Sequence, residues 1–371
     1  MPRLALVSIG IRRDLLAPLR YISKFELLHF YRRSVYGDLT VEDLDATLRA
    51  YSSPLDLYQQ LVRAKPAVIQ GVEPFSYYTQ PYLWACYCAA RKTDAALLVA
   101  TLENRPLEVK FGNARAFVLR KFLSWYFQRA CLILVLNQGA RENVLACGGE
   151  TVQVQSAMWG VWGVDIQEFF PRVARDPNMP PTILFAGRLH PEKGVFVLLD
   201  AFAAVHARLP HARLVLVGEG PARNLLEQKI RQQNLALAIT LTGVIKHREM
   251  VNLFHQADVF CAPSITTRQW AEQVGAAALQ AMACGIPIVS TRSGAIPEYI
   301  PDGAAGILVE EQNAPALADA LLNLLTNPQR ASEMGQRGRA YACLHYDAHA
   351  NVQRGETLVL EHCVKRNAHR L

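Results

Sequence analysis

The sequence predicts an α/β protein made of two Rossmann-like, doubly wound domains. Three observations carry this. The second half repeats a short apolar run followed by a helical pattern: Ile183-Leu-Phe-Ala-Gly187, Leu214-Val-Leu-Val-Gly218, Ile239-Thr-Leu-Thr-Gly243, Val259-Phe-Cys-Ala262, Ile286-Pro-Ile-Val-Ser290 and Gly306-Ile-Leu-Val309. Such runs read as buried parallel strands joined by crossover helices. The first half alternates in the same way more weakly, and 371 residues exceed what one hydrophobic core usually organises.

Taken in order, residues 3–9 read as a first buried strand. The following Gly10-Ile-Arg-Arg-Asp14 lacks the glycine-rich turn of a dinucleotide site. Residues 15–53 read as helical and amphipathic, with Leu27, Leu28 and Phe30 on apolar positions and Arg32 and Arg33 exposed. Thr40 is an N-cap for a helix over 41–51, so Asp43-Leu-Asp45 is read as acidic residues at a helix start and not as a metal pair. Residues 65–71 give a second strand, 81–92 a helix, and 95–101 a third strand. Its end loop, Leu102-Glu103-Asn-Arg-Pro106, lies where α/β proteins place ligands, which makes Glu103 a candidate by position.

From 111 to 136 cations alternate with aromatic and aliphatic residues (Arg115, Phe117, Arg120, Lys121, Trp125, Arg129) before running into a strand. Two readings stand: a helix lying on a membrane surface, or a core helix with a solvated basic edge. Residues 172–181, rich in Asp and Pro, read as a linker. Helices over 315–325 and 329–342 close the second domain.

Composition narrows the partners. Half the residues are apolar (51%) and 19% are charged, which is a globular balance. The N-terminal apolar run is too short for a signal peptide and no run reaches a membrane span, so a cytoplasmic protein is expected. The cysteines at 86, 88, 131, 147, 261, 284, 343 and 363 form no Cys-x-x-Cys pair and read as buried, reduced thiols. A net charge of +7 admits nucleic acid, an anionic membrane surface or phosphorylated substrates. No nucleic-acid-binding signature accompanies it, so nucleic acid is not expected.

Two stretches carry chemistry. Gly187-Arg188-Leu-His-Pro-Glu-Lys193-Gly194 follows a strand and opens a helix. Its Arg can fork two phosphate oxygens and its Lys adds a mobile point charge. In Cys261 to Ser290 a strand end and a polar loop with Glu272 and Val274 lead to Gly275, after which Ala276, Ala277 and Ala278 leave the first helical turn almost bare. Unpaired N–H groups there suit an anionic ligand. Gly218-Glu-Gly220-Pro221 is an incomplete dinucleotide fingerprint and reads as a strand-to-helix turn. Gly294-Ala-Ile-Pro-Glu298 reads as a helix cap with a candidate role.

These residues resemble those of the family 4 glycosyltransferases, retaining enzymes of the GT-B fold. That family's pattern has a loop Glu, a Gly soon after, a second Glu eight positions on, then Ala-Met-Ala-x-Gly-x-Pro. This chain has Glu272, Gly275 and Ala281-Met-Ala-Cys-Gly-Ile-Pro287, with Gln280 in place of the second Glu. Gly187 to Gly194 is similar to the family's diphosphate clamp, and Trp159 to Pro171 to the turn ending its first domain.

The resemblance implies two Rossmann-like domains facing across a cleft. It gives an acceptor-side domain over 1–171, a nucleotide-sugar domain over 172–345, and a terminal helix over 346–371 that packs back on the first. It implies transfer of a sugar from a UDP- or GDP-sugar to a glycan or lipid-linked hydroxyl acceptor, with no metal and no further cofactor. Arg188 and Lys193 would hold the diphosphate, Glu272 the sugar hydroxyls and position 280 the ribose diol, with Gly187, Gly218, Gly275, Val274, Gly294, Glu298 and Glu103 lining the substrates. An anionic membrane surface is a candidate partner. Gln280 and the bare first loop keep open a lapsed, binding-only homologue, whereas a Rossmann oxidoreductase is disfavoured because no complete fingerprint follows any strand.

Overall fold

The computed structural model describes residues 1–34, 47–172 and 178–365. It divides into two compact units, Met1–Trp162 with Ala348–Leu371, and Gly163–Asp347. Among the described residues the first holds one parallel sheet of seven strands: β1 Arg3–Ile11, β2 Glu26–Ser34, β3 Leu48–Ala50, β4 Val68–Gln70, β5 Ala96–Thr101, β6 Ala130–Val135 and β7 Val154–Ser156. Their order is β3-β2-β1-β4-β5-β6-β7, with registers such as Leu4↔Leu27 and Leu4↔Val68. The second unit's sheet has β8 Thr182–Ala186, β9 Arg213–Val217, β10 Ile239–Gly243, β11 Val259–Ala262, β12 Ile288–Thr291 and β13 Gly306–Val309, ordered β10-β9-β8-β11-β12-β13. Both orders reverse direction once, between β1 and β4 and between β8 and β11. Doubly wound sheets leave a crevice at the carboxyl ends of such strands.

Strand alternation explains how one sheet serves two layers. Side chains of β1 point to opposite faces in turn. Ala5 and Val7 join a core with Leu57, Leu61, Leu83 and Leu123, contributed by helices Pro54–Ala64, Gln80–Thr93 and Asn113–Phe127. Leu4 and Leu6 join the other core, which contains Trp159, Trp162, Ala348, Val352 and Val359. The terminal helix Ala348–Val359 is therefore an element of the first unit. Its buried Glu356 accepts the backbone N–H groups of Ser23 and Lys24 at 3.0 and 2.7 Å, so this inward carboxylate is hydrogen-bonded, as burial requires.

Two expectations are corrected. Residues 26–34 and 48–50 are strands, not parts of a long helix. In β2 Leu28, His29 and Phe30 are consecutive buried residues, and a short continuous apolar run looks alike as strand or helix by periodicity. Asp43 and Asp45 lie outside the described residues. Second, Cys131 and Cys363 are joined by a disulfide across 232 positions of sequence. Packing of the tail on the sheet brings their Cα atoms to 5.4 Å, a proximity that cysteine spacing does not encode. Cys86, Cys147, Cys261 and Cys284 are buried free thiols. By contact, residues 163–171 group with the second unit, where the N–H of Val164 donates to the Tyr346 carbonyl at 2.8 Å. The stretch expected as a linker lies partly outside the described residues.

Candidate functional site

In the second unit the sequence-predicted residues gather at the carboxyl ends of β8, β9, β11 and β12. The loop after β8 closes as a single turn, Pro191–Lys193, before the helix Val195–Arg208. Gly194 ends that turn at φ +70°, where an added Cβ would lie 1.8 Å from the Pro263 carbonyl oxygen. Only glycine lets the β8 and β11 loops approach this closely. The N–H of Ile265 donates to the Glu192 carbonyl at 2.7 Å and fastens the two loops on the same line. Gly187 and Gly218 also meet, because a Cβ on Gly218 would fall 2.0 Å from the Gly187 oxygen.

This fastening aligns Lys193 with Glu272. The Lys193 ammonium lies 2.7 Å from Glu272 Oε2, with side-chain exposures of 19% and 12%. The hydroxyl of the fully buried Ser264 donates to the same oxygen at 2.7 Å. The Lys193 ammonium also sits 4.5 Å from the centre of the Trp270 ring. Arg188 is exposed and pairs with Glu192 at 3.0 Å. The N–H of Ala295 donates to the Glu272 carbonyl at 2.8 Å, so the Gly294 turn is joined to the Glu272 loop, while Glu298 is exposed on the short helix Ile296–Tyr299. Gly275 is the N-cap of the helix Ala276–Ala283, without a side-chain cap. Val274 is buried before it and Gln280 is half-buried within it.

Sequence reasoning missed four contributors here: Ser264, Glu192, Trp270 and Glu311. Glu311 accepts the N–H and the hydroxyl of Thr266, both at 2.6 Å, and so ties the Glu272 loop to the end of β13. Ser264 directly follows the strand-stopping Pro263, a position that could have marked it. Nothing in the linear pattern marks Glu311.

Glu103, the remaining candidate, belongs to the first unit. It is buried at the end of β5, ion-paired with Lys110, and accepts the Arg105 N–H at 2.9 Å. Beside it stands Glu73, just past the end of β4, which sequence reasoning did not select. Glu73 takes the Thr101 hydroxyl at 2.7 Å and the Leu102 N–H at 3.3 Å. Burial pushes its carboxyl up to about 7; the Thr101 hydroxyl opposes this and the Glu103 charge adds to it. Two strands away, burial holds the His29 imidazole down at about 4, with its Nε2 2.6 Å from the Ser8 hydroxyl. Among the described residues no group of three or more His, Cys, Asp or Glu is placed to hold a metal ion.

Comparison with known proteins bears on the same segment. Residues 166–341 match the family described as Glycosyl transferases group 1. A GDP-mannose-dependent alpha-(1-6)-phosphatidylinositol monomannoside mannosyltransferase of Mycolicibacterium smegmatis is 34% identical over 190 residues, 48% of this chain and 50% of that protein. A phosphatidyl-myo-inositol mannosyltransferase of Mycobacterium leprae is 31% identical over 248 residues, 66% of this chain and 61% of that one. The chain thus spans about half to three-fifths of the length of these relatives. The crystal structure of Anabaena Alr3699/HepE in complex with UDP is similar with a TM-score of 0.77 at 19% identity, over 96% of this chain and 99% of that one. The fold is therefore GT-B, and residues 166–341 of this chain match the glycosyl transferases group 1 family.

Proposed function

We propose that the protein is a retaining, metal-independent glycosyltransferase that moves a sugar from a nucleotide diphosphate sugar to a hydroxyl acceptor. The observation that carries this reading is the Lys193–Glu272–Ser264 cluster at the β8/β11 reversal, inside the family segment. In such a transfer the sugar acquires oxocarbenium character while negative charge grows on the departing β-phosphate, so stabilising that phosphate is the largest task. Lys193, Arg188 and the bare start of the helix Ala276–Ala283 supply positive charge and N–H donors for it. Glu272, an acceptor of hydrogen bonds, takes the sugar hydroxyls, and Gln280 the ribose diol. The unit Gly163–Asp347 then binds the donor, and the other unit, with Glu103 on a strand-end loop, serves the acceptor.

Relatives named for GDP-mannose and a structural neighbour holding UDP support a GDP- or UDP-sugar as the donor class. Relatives named for phosphatidylinositol acceptors favour a lipid-linked acceptor at the cytoplasmic face of a membrane. One face of the first unit suits that: Trp84, Phe117 and Val118 are exposed, Trp84 stacks on Trp125 with centroids 5.2 Å apart, and Lys121 and Arg129 lie over Phe117 and Trp125. Aromatic rings flanked by cations are what an anionic interface attracts. Among the described residues no helix is long and apolar enough to cross a membrane.

The test is a panel of labelled UDP-, GDP- and ADP-sugars, followed for slow donor hydrolysis with and without a chelator, with the anomer of the released sugar read by NMR. Hydrolysis of one donor with retention, undiminished by the chelator, is expected. A second reading, a homologue that binds the donor without transferring, is favoured by Gln280 and by the first loop's lack of a glycine-rich turn. It predicts tight donor binding with no hydrolysis. For the membrane face, binding to anionic vesicles should weaken with salt and with Arg120→Ala/Lys121→Ala. Equal partition onto neutral vesicles contradicts it.

A further inference from the structure

The Lys193 ammonium has two partners in this ligand-free arrangement, the Glu272 carboxylate at 2.7 Å and the Trp270 ring at 4.5 Å. Trp270 is held by a closed turn. The Thr267 N–H donates to the Trp270 carbonyl at 2.7 Å, and the Trp270 N–H donates to the Thr267 hydroxyl at 3.0 Å. With the Thr267 hydroxyl also donating to the Trp270 carbonyl at 3.2 Å, three hydrogen bonds fix this residue, whose indole faces a cation only 19% exposed.

We propose that Trp270 is a positioning residue that keeps Lys193 at the diphosphate when Glu272 turns to the sugar, and this rests on the donor-site reading above. Glu272 Oε2 already accepts from both Lys193 and Ser264, so a third donor at that oxygen must share its lone pairs. When Glu272 Oε2 accepts a sugar hydroxyl, its hold on Lys193 weakens, and a four-carbon side chain without a second anchor regains its rotamer freedom. The indole face supplies that anchor by its quadrupole, and a desolvated ammonium feels this most strongly. Being neutral, the ring does not compete with phosphate for the cation's charge. It also occupies no strong acceptor site, so the N–H donors of Lys193 remain available to phosphate oxygens. A second acid in its place would hold the lysine equally well and repel the ligand.

The experiment compares Trp270→Phe, which retains a π face, with Trp270→Leu and Trp270→Met, which retain apolar volume without one. Binding of UDP- and GDP-sugars, whose sugar hydroxyls draw Glu272 from Lys193, is measured by calorimetry beside UDP and GDP, and folding by the thermal midpoint. The methionine variant stands in should the leucine variant not fold. The expected result is a loss of nucleotide affinity of about 5- to 30-fold in the π-free variants and of less than about threefold in Trp270→Phe. In a Lys193→Met background, Trp270→Leu should cost nothing further, because the cation it acts on is gone. Equal losses in Trp270→Phe and Trp270→Leu, or a loss that persists in the Lys193→Met background, reduce Trp270 to packing and overturn the proposal. If the natural protein binds neither UDP nor GDP, the donor-site reading fails and carries the Trp270 role with it. Nucleotide binding unaffected by any Trp270 variant sinks the Trp270 role alone.

Discussion

The two sheets present their charged residues at the same edge, the carboxyl ends of the strands, yet use them differently. In the second unit Lys193 pairs with a nearly buried carboxylate of opposite sign, Glu272, and Arg188 is 49% exposed on its loop. In the first unit Glu73 and Glu103 have the same sign; Glu103 is buried and paired with Lys110, and Glu73 is held by the Thr101 hydroxyl and the Leu102 N–H. Charges that keep contact with water can exchange a protein partner for an anionic ligand. Charges buried against backbone N–H groups hold a strand end in shape, and one of them keeps its proton instead of paying desolvation. Location at a strand end therefore nominates a residue, and burial decides whether it can meet a ligand.

The comparison breaks most visibly at the clamp. Arg188→Ala and Lys193→Ala are each expected to lower turnover by about 10²-fold or more, since each removes a charge acting on the leaving phosphate. Single-turnover kinetics on the responsive donor checks this, and near-normal turnover in the double variant is incompatible with the assignment.

In the first unit the same kind of change should alter stability. Glu73 has its folded pKa raised, from 4.5 to about 7. Between those values the folded chain holds a proton that the unfolded chain has lost, so stability falls as pH rises through that window, by about 3 kcal/mol. His29 is lowered from 6.5 to about 4. Its contribution is present above 6.5 and is lost as pH falls towards 4, by a similar amount. The two slopes oppose each other and nearly cancel between pH 4.5 and 6.5. Urea unfolding from pH 4 to 8 should thus find Glu73→Gln more stable than the natural chain at pH 8, with an uncovered loss on the acid side. Parallel curves for both proteins would refute the buried, protonated Glu73.

A smaller effect sharpens the role of the loop contact. Gly194→Ala places a methyl against the Pro263 carbonyl in a left-handed backbone, and should cost about 2 kcal/mol or more. It should also weaken UDP and GDP binding, because the β8 and β11 loops must part. Gly303→Ala is the control: its φ is +75° with nothing near the added Cβ, so it should show the backbone cost and leave nucleotide binding unchanged.

The smallest effect is expected at position 280. A carboxylate accepts both ribose hydroxyls with charge-assisted bonds, whereas an amide accepts with one oxygen. Ribose contacts hardly change as the glycosidic bond breaks, so this is uniform binding. Gln280→Glu should lower the donor KM several-fold, about 1 kcal/mol, and leave kcat within about threefold. Restoration of transfer from an inactive natural protein would instead favour the binding-only reading.

Much of the second unit was legible in the linear chain. Its six strands are short apolar runs ended by glycine, proline or polar residues, and the loops that follow carry Arg188, Lys193 and Glu272 within local motifs. Local spacing and turn chemistry determine these features, because each depends on residues a few positions apart. The region 15–53 was misread because a strand buried on both faces loses the alternation that would distinguish it from a helix.

What tertiary structure alone decided are pairings over long separations. Cys131 and Cys363 meet only because the terminal helix lies on the first sheet. Glu311 reaches Thr266 only through the β12–β13 pairing and the loops above it. The Glu73 carboxyl is pushed up to about 7 only because β4 and β5 bury it beside Glu103. Lys193 faces Trp270 and Glu272 because β8 and β11, 76 positions apart in the register Val259 with Ile183, lie side by side. Sequence carries the identity of each such group. Its partner, its burial and hence its protonation are set by which strands the chain makes neighbours, and that depends on the packing of the whole sheet.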